Sequence, residues 1–221
     1  MWVSHRSGST GEPLTPEQVR QWHRRMAPPE NELPAGVGVT VLLGRTDDVA
    51  VGLTQVEAFS TGFRFTLAVR LRQARSDLAG GRLFMLVNSG VEVPLAERLL
   101  PGLEYPGGRR ASTVQKTPTL DPAAATDSRQ LVLVQQGGSG DERSVDQTYW
   151  VSPLPPAEPV TVVIAWPAFG IPESTATLDG AAINAAAERS RLLWPPQPLV
   201  EPAETPSPPR PSTGWFAEPA G

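Results

Sequence analysis

The apolar residues of this chain fall into short runs, most of them alternating with polar or small residues and separated by Pro, Gly and Ser. In Val160-Thr161-Val162-Val163-Ile164-Ala165-Trp166 the even positions are Val, Val, Ile and Trp, and the odd ones Thr, Val and Ala. Alternate side chains of a strand point to opposite faces, so one face is bulky and apolar and the other small and uncharged. β-branched residues suit such a packed, pleated surface. The run therefore predicts a central strand, closed by Pro159 and Pro167, which cannot donate to a ladder. Residues 148–151 (Thr-Tyr-Trp-Val) predict a second strand. Pro153-Leu154-Pro155-Pro156 ends it in an extended, stiff connection, because each proline pushes its predecessor out of the helical region.

Downstream the period changes. Asp179 is suited to cap a helix, since its carboxylate can accept from the free amides of the next turn. Ile183, Ala186, Ala187, Ser190 and Trp194 follow at helical spacing, and Pro195 and Pro196 stop the pattern. Small residues on that stripe would let the helix lie close to a sheet, with Ile183 and Trp194 as anchors, each stabilising by about 1.5–3 kcal/mol on burial.

Upstream, Thr15 at N-cap and Pro16 at N1 mark a helix start, and a short helix would run to Met26 with Val19, Trp22 and Met26 on one side. A first strand is expected over 37–43 and a turn over 44–48. Val49, Val51 and Leu53 then alternate, but the phase slips near Gln55 so that Val56 and Ala58 become the apolar set. A slip of one residue predicts a bulge. After a turn at 60–62, residues 63–72 alternate almost without fault, the pattern of an antiparallel strand with one wet face lined by Arg64, Arg70 and Arg72. Further strands are expected over 82–87 and 131–135, a helical turn over 93–100, and a hairpin about Pro106-Gly107-Gly108. Residues 115–129 predict a mobile loop, and Gly137 to Glu142 a turn.

Seven to nine short strands with turn signals between them predict a mainly β fold, an antiparallel β-sandwich with one C-terminal α-helix; a β-barrel is the alternative. The expected organisation is a loosely held leader over 1–34, the sandwich with its helix over 35–197, and a disordered proline-rich tail over 198–221.

Composition narrows the function classes. The chain has 221 residues, 39% hydrophobic, with 25 prolines and 20 glycines, enough for one core with long ends. A formal charge of −4 gives no general affinity for nucleic acid or an anionic membrane. Cysteine is absent, which removes disulfides and thiol chemistry. No apolar run approaches the ~20 residues that span a bilayer, and the N-terminus lacks the apolar region of a signal peptide. These features predict a cytoplasmic protein.

The candidate chemistry is thin. Both histidines, His5 and His23, fall in the leader, far in sequence from any serine and aspartate of the expected core. No metal and no cofactor is expected. The glycines at 137–140 resemble a phosphate loop, but no Gly-Lys-Ser/Thr follows. Asp47-Asp48 and Asp141-Glu142 could hold calcium only if sandwich loops joined them. Glu57, Glu104 and Glu173 are the carboxylates available for glycoside hydrolysis. Exposed tryptophans could form a sugar platform, although Trp166 and Trp194 already fall on core stripes. Pro206-Ser207-Pro208-Pro209-Arg210-Pro211 has the general form of a polyproline ligand. No residue is assigned a catalytic role.

The candidate binding residues are Phe169, Ile171 and Glu173. They leave the central strand in a stretch that prolines and a glycine keep from regular structure, and loops fixed on a rigid scaffold are where binding residues concentrate. Phe169 would either close the core or form an apolar patch beside Glu173. The blocks Tyr149 to Pro155, Trp166 to Ile171 and Leu193-Trp194-Pro195 resemble uncharacterised proteins of GC-rich, actinobacterial-type genomes, a resemblance that implies a source but no activity. The expected function is a non-enzymatic interaction or structural module with a protein partner. The alternatives are a carboxylate-based hydrolase or a sugar-binding sandwich.

Overall fold

The computed structural model describes residues 15–88, 93–114 and 130–195. The expectations for the loop at 115–129, the tail beyond 197, the polyproline sequence and His5 lie outside these residues.

The fold is mainly β and antiparallel, and its two larger sheets pack face to face. One sheet has the order β2 (Ala35–Gly36), β4 (Val49–Phe59), β5 (Gly62–Leu71), β9 (Ser144–Ser152), β8 (Val132–Gly140), with β3 (Val41–Arg45) also pairing β4. The other has the order β11 (Ile171–Leu178), β10 (Val160–Trp166), β6 (Leu100–Tyr105), β7 (Arg109–Ser112). A small ribbon pairs β1 (Glu32–Leu33) with β12 (Arg191–Leu192). The inward residues of the two sheets, among them Phe63, Phe65, Leu67 and Tyr149 facing Leu103, Val162, Ile164 and Trp166, form one continuous core. β10 shows the expected alternation: Val160, Val162, Ile164 and Trp166 are buried, and Thr161, Val163 and Ala165 half-buried on the outer face.

Several elements follow the pattern closely. β5 is the strand with a wet face; Arg64 pairs Glu57 at 2.6 Å and Arg70 pairs Asp146 at 2.8 Å. Gln55 bulges from β4 with φ 51°, and the β4–β5 register shifts between Thr54 and Glu57. Glycines 107 and 108 take φ 83° and 79° in the β6–β7 hairpin, a region that costs glycine nothing.

Others differ. Residues 82–87 form a helix, α2 (Arg82–Val87), where a strand was expected. Leu83, Leu86 and Val87 are buried at helical spacing while Met85 is exposed; a short unbroken apolar run does not declare its period. Of the first strand expected over 37–43 only the end forms, as β3 from Val41; residues 37–40 are not strand, Gly38 takes φ 73°, and β2 lies before the expected range. The helical turn expected over 93–100 is a tight turn, with the Glu97 amide bonded to the Pro94 carbonyl at 2.9 Å, and β6 begins at Leu100. Gly137 to Gly140 belong to β8 rather than to a turn. The Gln147 side chain fills the space over Gly138 and donates to the Gly137 carbonyl at 2.8 Å. The turn itself lies after Gly140, where Asp141 accepts the amides of Arg143 and Ser144 at 2.7 and 2.8 Å.

The C-terminal helix α3 (Gly180–Ala187) is capped by Asp179, which accepts the amides of Ala181 and Ala182 at 2.9 and 3.2 Å. It ends sooner than the apolar stripe predicts. The Ser190 hydroxyl and Arg189 guanidinium donate to the carbonyls of Ala187 and Ala185, satisfying the last turn, and the chain then pairs with β1. Trp194 is consequently half exposed rather than a core anchor. At the other end, Thr15 and Gln18 exchange side-chain to backbone bonds at 3.2 and 2.8 Å, a capping box that opens α1 (Pro16–Met26). This helix lies against β9 and β8, where the Arg25 carbonyl accepts the indole N–H of Trp150 at 2.9 Å. Glu32 is buried beside β4 and its carboxylate accepts both the amide and the hydroxyl of Ser60 at 2.6 Å.

Candidate functional site

The outer face of the four-stranded sheet is a grid set by strand register. Across β11, β10, β6 and β7 the middle row reads Thr175, Val163, Gly102, Ser112. A second row reads Thr177, Thr161, Glu104, Arg110. On the third, Ala165 lies between Leu100 of β6 and the irregular pairing that brings Pro172 and Glu173 opposite it. Because the middle row holds only small uncharged side chains and a glycine, it forms the floor of a groove of about 440 Å³. Gly102 is not demanded by the backbone. A Cβ there would sit 3.4 Å from the Ala111 carbonyl and the Ser112 Cβ, ordinary contact, so the glycine deepens the floor rather than relieving a clash.

The charges lie on the rims. Glu104 and Arg110 pair at 2.8 Å, with side chains 32% and 70% exposed, a surface pair worth at most about 1 kcal/mol. Glu173, exposed near the β11 edge, lines the groove and forms no ion pair within the described residues. Leu100 and Val114 give the bank nearest β7 an apolar surface.

The three residues singled out from sequence do not share one surface. Ile171 is 1% exposed; it packs over Gly44, where a Cβ would come within 2.7 Å of its Cγ2. Phe169 is half-buried in a turn of 3-10 helix, its ring 4.0 Å from that of Trp166. Arg75 covers it at 5.3 Å while holding Asp77 through a two-pronged contact. Glu173 alone lies in the groove. The outer face of β10 was legible as small and uncharged, but Gly102, Ser112 and Thr175 were not, because register across strands is not written in any one strand.

Among the described residues the competing chemistries find no constellation. Glu104 stands opposite Thr161 and Glu173 opposite Ala165, on either side of β10. That separation is about 13 Å along the strands and about 10 Å across them, whereas glycosidase carboxyls stand about 5–9.5 Å apart. Arg110 also draws Glu104 away from Glu173. Glu57 faces outward on the opposite sheet, held by Arg64. The acidic turns at 46–48 and 141–143 lie at the same end of the larger sheet, but β5 lies between them, carrying Arg70 and followed by Arg72. Asp141 is occupied by its own turn, and the two amides it accepts hold its carboxyl below the usual range. Among the described residues no group of three or more His, Asp or Glu could hold a metal. Trp150 and Trp166 are fully buried, and each indole N–H donates to a backbone carbonyl, so neither offers a sugar platform. No described helix is long and apolar enough to cross a membrane. The chain matches no protein-family model, and no curated protein and no solved structure matches it.

Proposed function

We propose that this chain is a non-enzymatic interaction module of a bacterial cytoplasmic protein, taking a protein partner on the outer face of its four-stranded sheet. The observation that supports this reading is the groove over Val163 and Gly102, an uncharged floor between charged and apolar rims. Sheets bury apolar faces against other elements. The described helices pack on the larger sheet instead, α1 against β9 and β8 and α3 against β4, β2 and β5. The wide spacing of Glu104 and Glu173 weighs against a hydrolase built on that pair, and the burial of Trp150 and Trp166 weighs against a sugar platform on those two rings.

Affinity capture from a native-host lysate tests the proposal with three baits. The full chain and Leu42→Arg, which alters a 62% exposed residue on the opposite sheet, should retain the same protein. Val163→Arg should lose it while keeping the near-ultraviolet circular dichroism of the parent. Retention of the same protein by Val163→Arg would refute the assignment.

A further inference from the structure

We infer that the groove takes an extended polypeptide segment bearing a basic residue, which pairs with Glu173, and, about three to four residues away on either side of it, an apolar residue that rests on Leu100 and Val114. The inference depends on the groove being the docking surface and identifies what docks there.

Its length comes from the register. The floor crosses four strands, Thr175 to Ser112, so it spans three inter-strand steps, about 14 Å. An extended chain covers that distance with about four residues. The middle of the segment lies over Ala165 and the adjoining Val163, where no described charged side chain intrudes, and small or β-branched residues fit there. Its polarity comes from the rims. A partner that covers the groove removes water from Glu173, and an ionised carboxylate taken out of water without a partner is costly. Glu173 has no ion pair among the described residues, so the incoming segment supplies the cation. At the opposite bank Glu104 and Arg110 already satisfy one another at 2.8 Å, so that end makes no matching demand. Nucleic acid would bring phosphate against Glu173, and a sugar would find no exposed aromatic face among the residues lining the groove.

The test is selection of displayed random short peptides on the immobilised full chain, repeated on Glu173→Lys and Val163→Arg. Peptides selected by the parent should carry Lys or Arg and an aliphatic residue at the stated spacing. Glu173→Gln should weaken their binding roughly fivefold, and Glu173→Lys should turn the selection towards acidic residues. If Val163→Arg abolishes selection while Glu173→Lys keeps the basic preference, the groove stands and the basic segment is wrong. If Val163→Arg selects the same peptides, the groove itself is wrong. A parent chain that selects no peptide, or that sediments as a dimer converted to monomer by Val163→Arg, also overturns the inference; the dimer result would make a second copy the occupant.

Discussion

Gln55 holds a backbone conformation that only glycine adopts freely, with φ 51°, and it is the one described non-glycine residue to do so. Its side-chain oxygen accepts the Thr66 hydroxyl at 3.1 Å, which helps to fix the bulge. A β-branched side chain fits that conformation poorly, so Gln55→Val should cost about 1–3 kcal/mol in urea unfolding, and Gln55→Gly distinctly less. Equal losses for the two would show that the hydrogen bond, not the backbone, sets the position. The phase slip in the apolar pattern was enough to find this bulge. No comparable signal announced the two tyrosines, the chain's only ones, as contrasting core residues. The Tyr105 hydroxyl donates to the Pro153 carbonyl at 2.7 Å, whereas the buried Tyr149 hydroxyl has no hydrogen-bond partner among the described residues. Tyr105→Phe should therefore cost about 1 kcal/mol or more, and Tyr149→Phe should be close to neutral or stabilising. Burial pushes both phenols well above the usual range. Their contribution is thus fully present below the unfolded value near pH 10 and is lost as pH rises beyond it. Phenolate absorbance should appear only together with loss of near-ultraviolet dichroism; ionisation of a folded chain near pH 10 would contradict the burial.

At the scale of elements, alternation identified the long strands because their two faces see different surroundings. It failed where an element has no contrasting face. The run Arg82 to Val87 is apolar nearly throughout, and only its tertiary contacts, Leu83, Leu86 and Val87 turned inward, decide for a helix. The stripe from Ile183 to Trp194 promised a longer helix than α3, because sequence spacing does not show that Ser190 and Arg189 will close its last turn. The β4–β5 hairpin provides a direct test of close packing between elements. A Cβ at Gly62 would overlap the Val151 carbonyl and lie 2.7 Å from the Trp150 ring, and Trp150 is the residue that ties α1 to the sheet. Gly62→Ala should therefore destabilise by about 1–3 kcal/mol and speed amide hydrogen exchange in α1 as well as in β9. Loss of stability with α1 protection unchanged would mean that the helix does not depend on the placement of Trp150.

For the whole molecule, periodicity was sufficient to indicate a mainly β, antiparallel fold around one core, since each strand declares which side is apolar, but not to separate two sheets from a closed barrel. The groove was legible only in part. Thr161, Val163 and Ala165 showed that one face of β10 is small and uncharged, but its neighbours Gly102, Ser112 and Thr175 come from strands about 10 to 60 residues away in the chain. The most direct measurement of the proposed function is photo-crosslinking in the native host, with a photoreactive amino acid in place of Val163 in the full chain and, separately, in place of Leu42 on the opposite sheet. The groove position should trap one protein in a discrete adduct, and the Leu42 position should not. Adducts of equal yield at both positions, or an adduct at Leu42 alone, would contradict the placement of the partner on the four-stranded sheet.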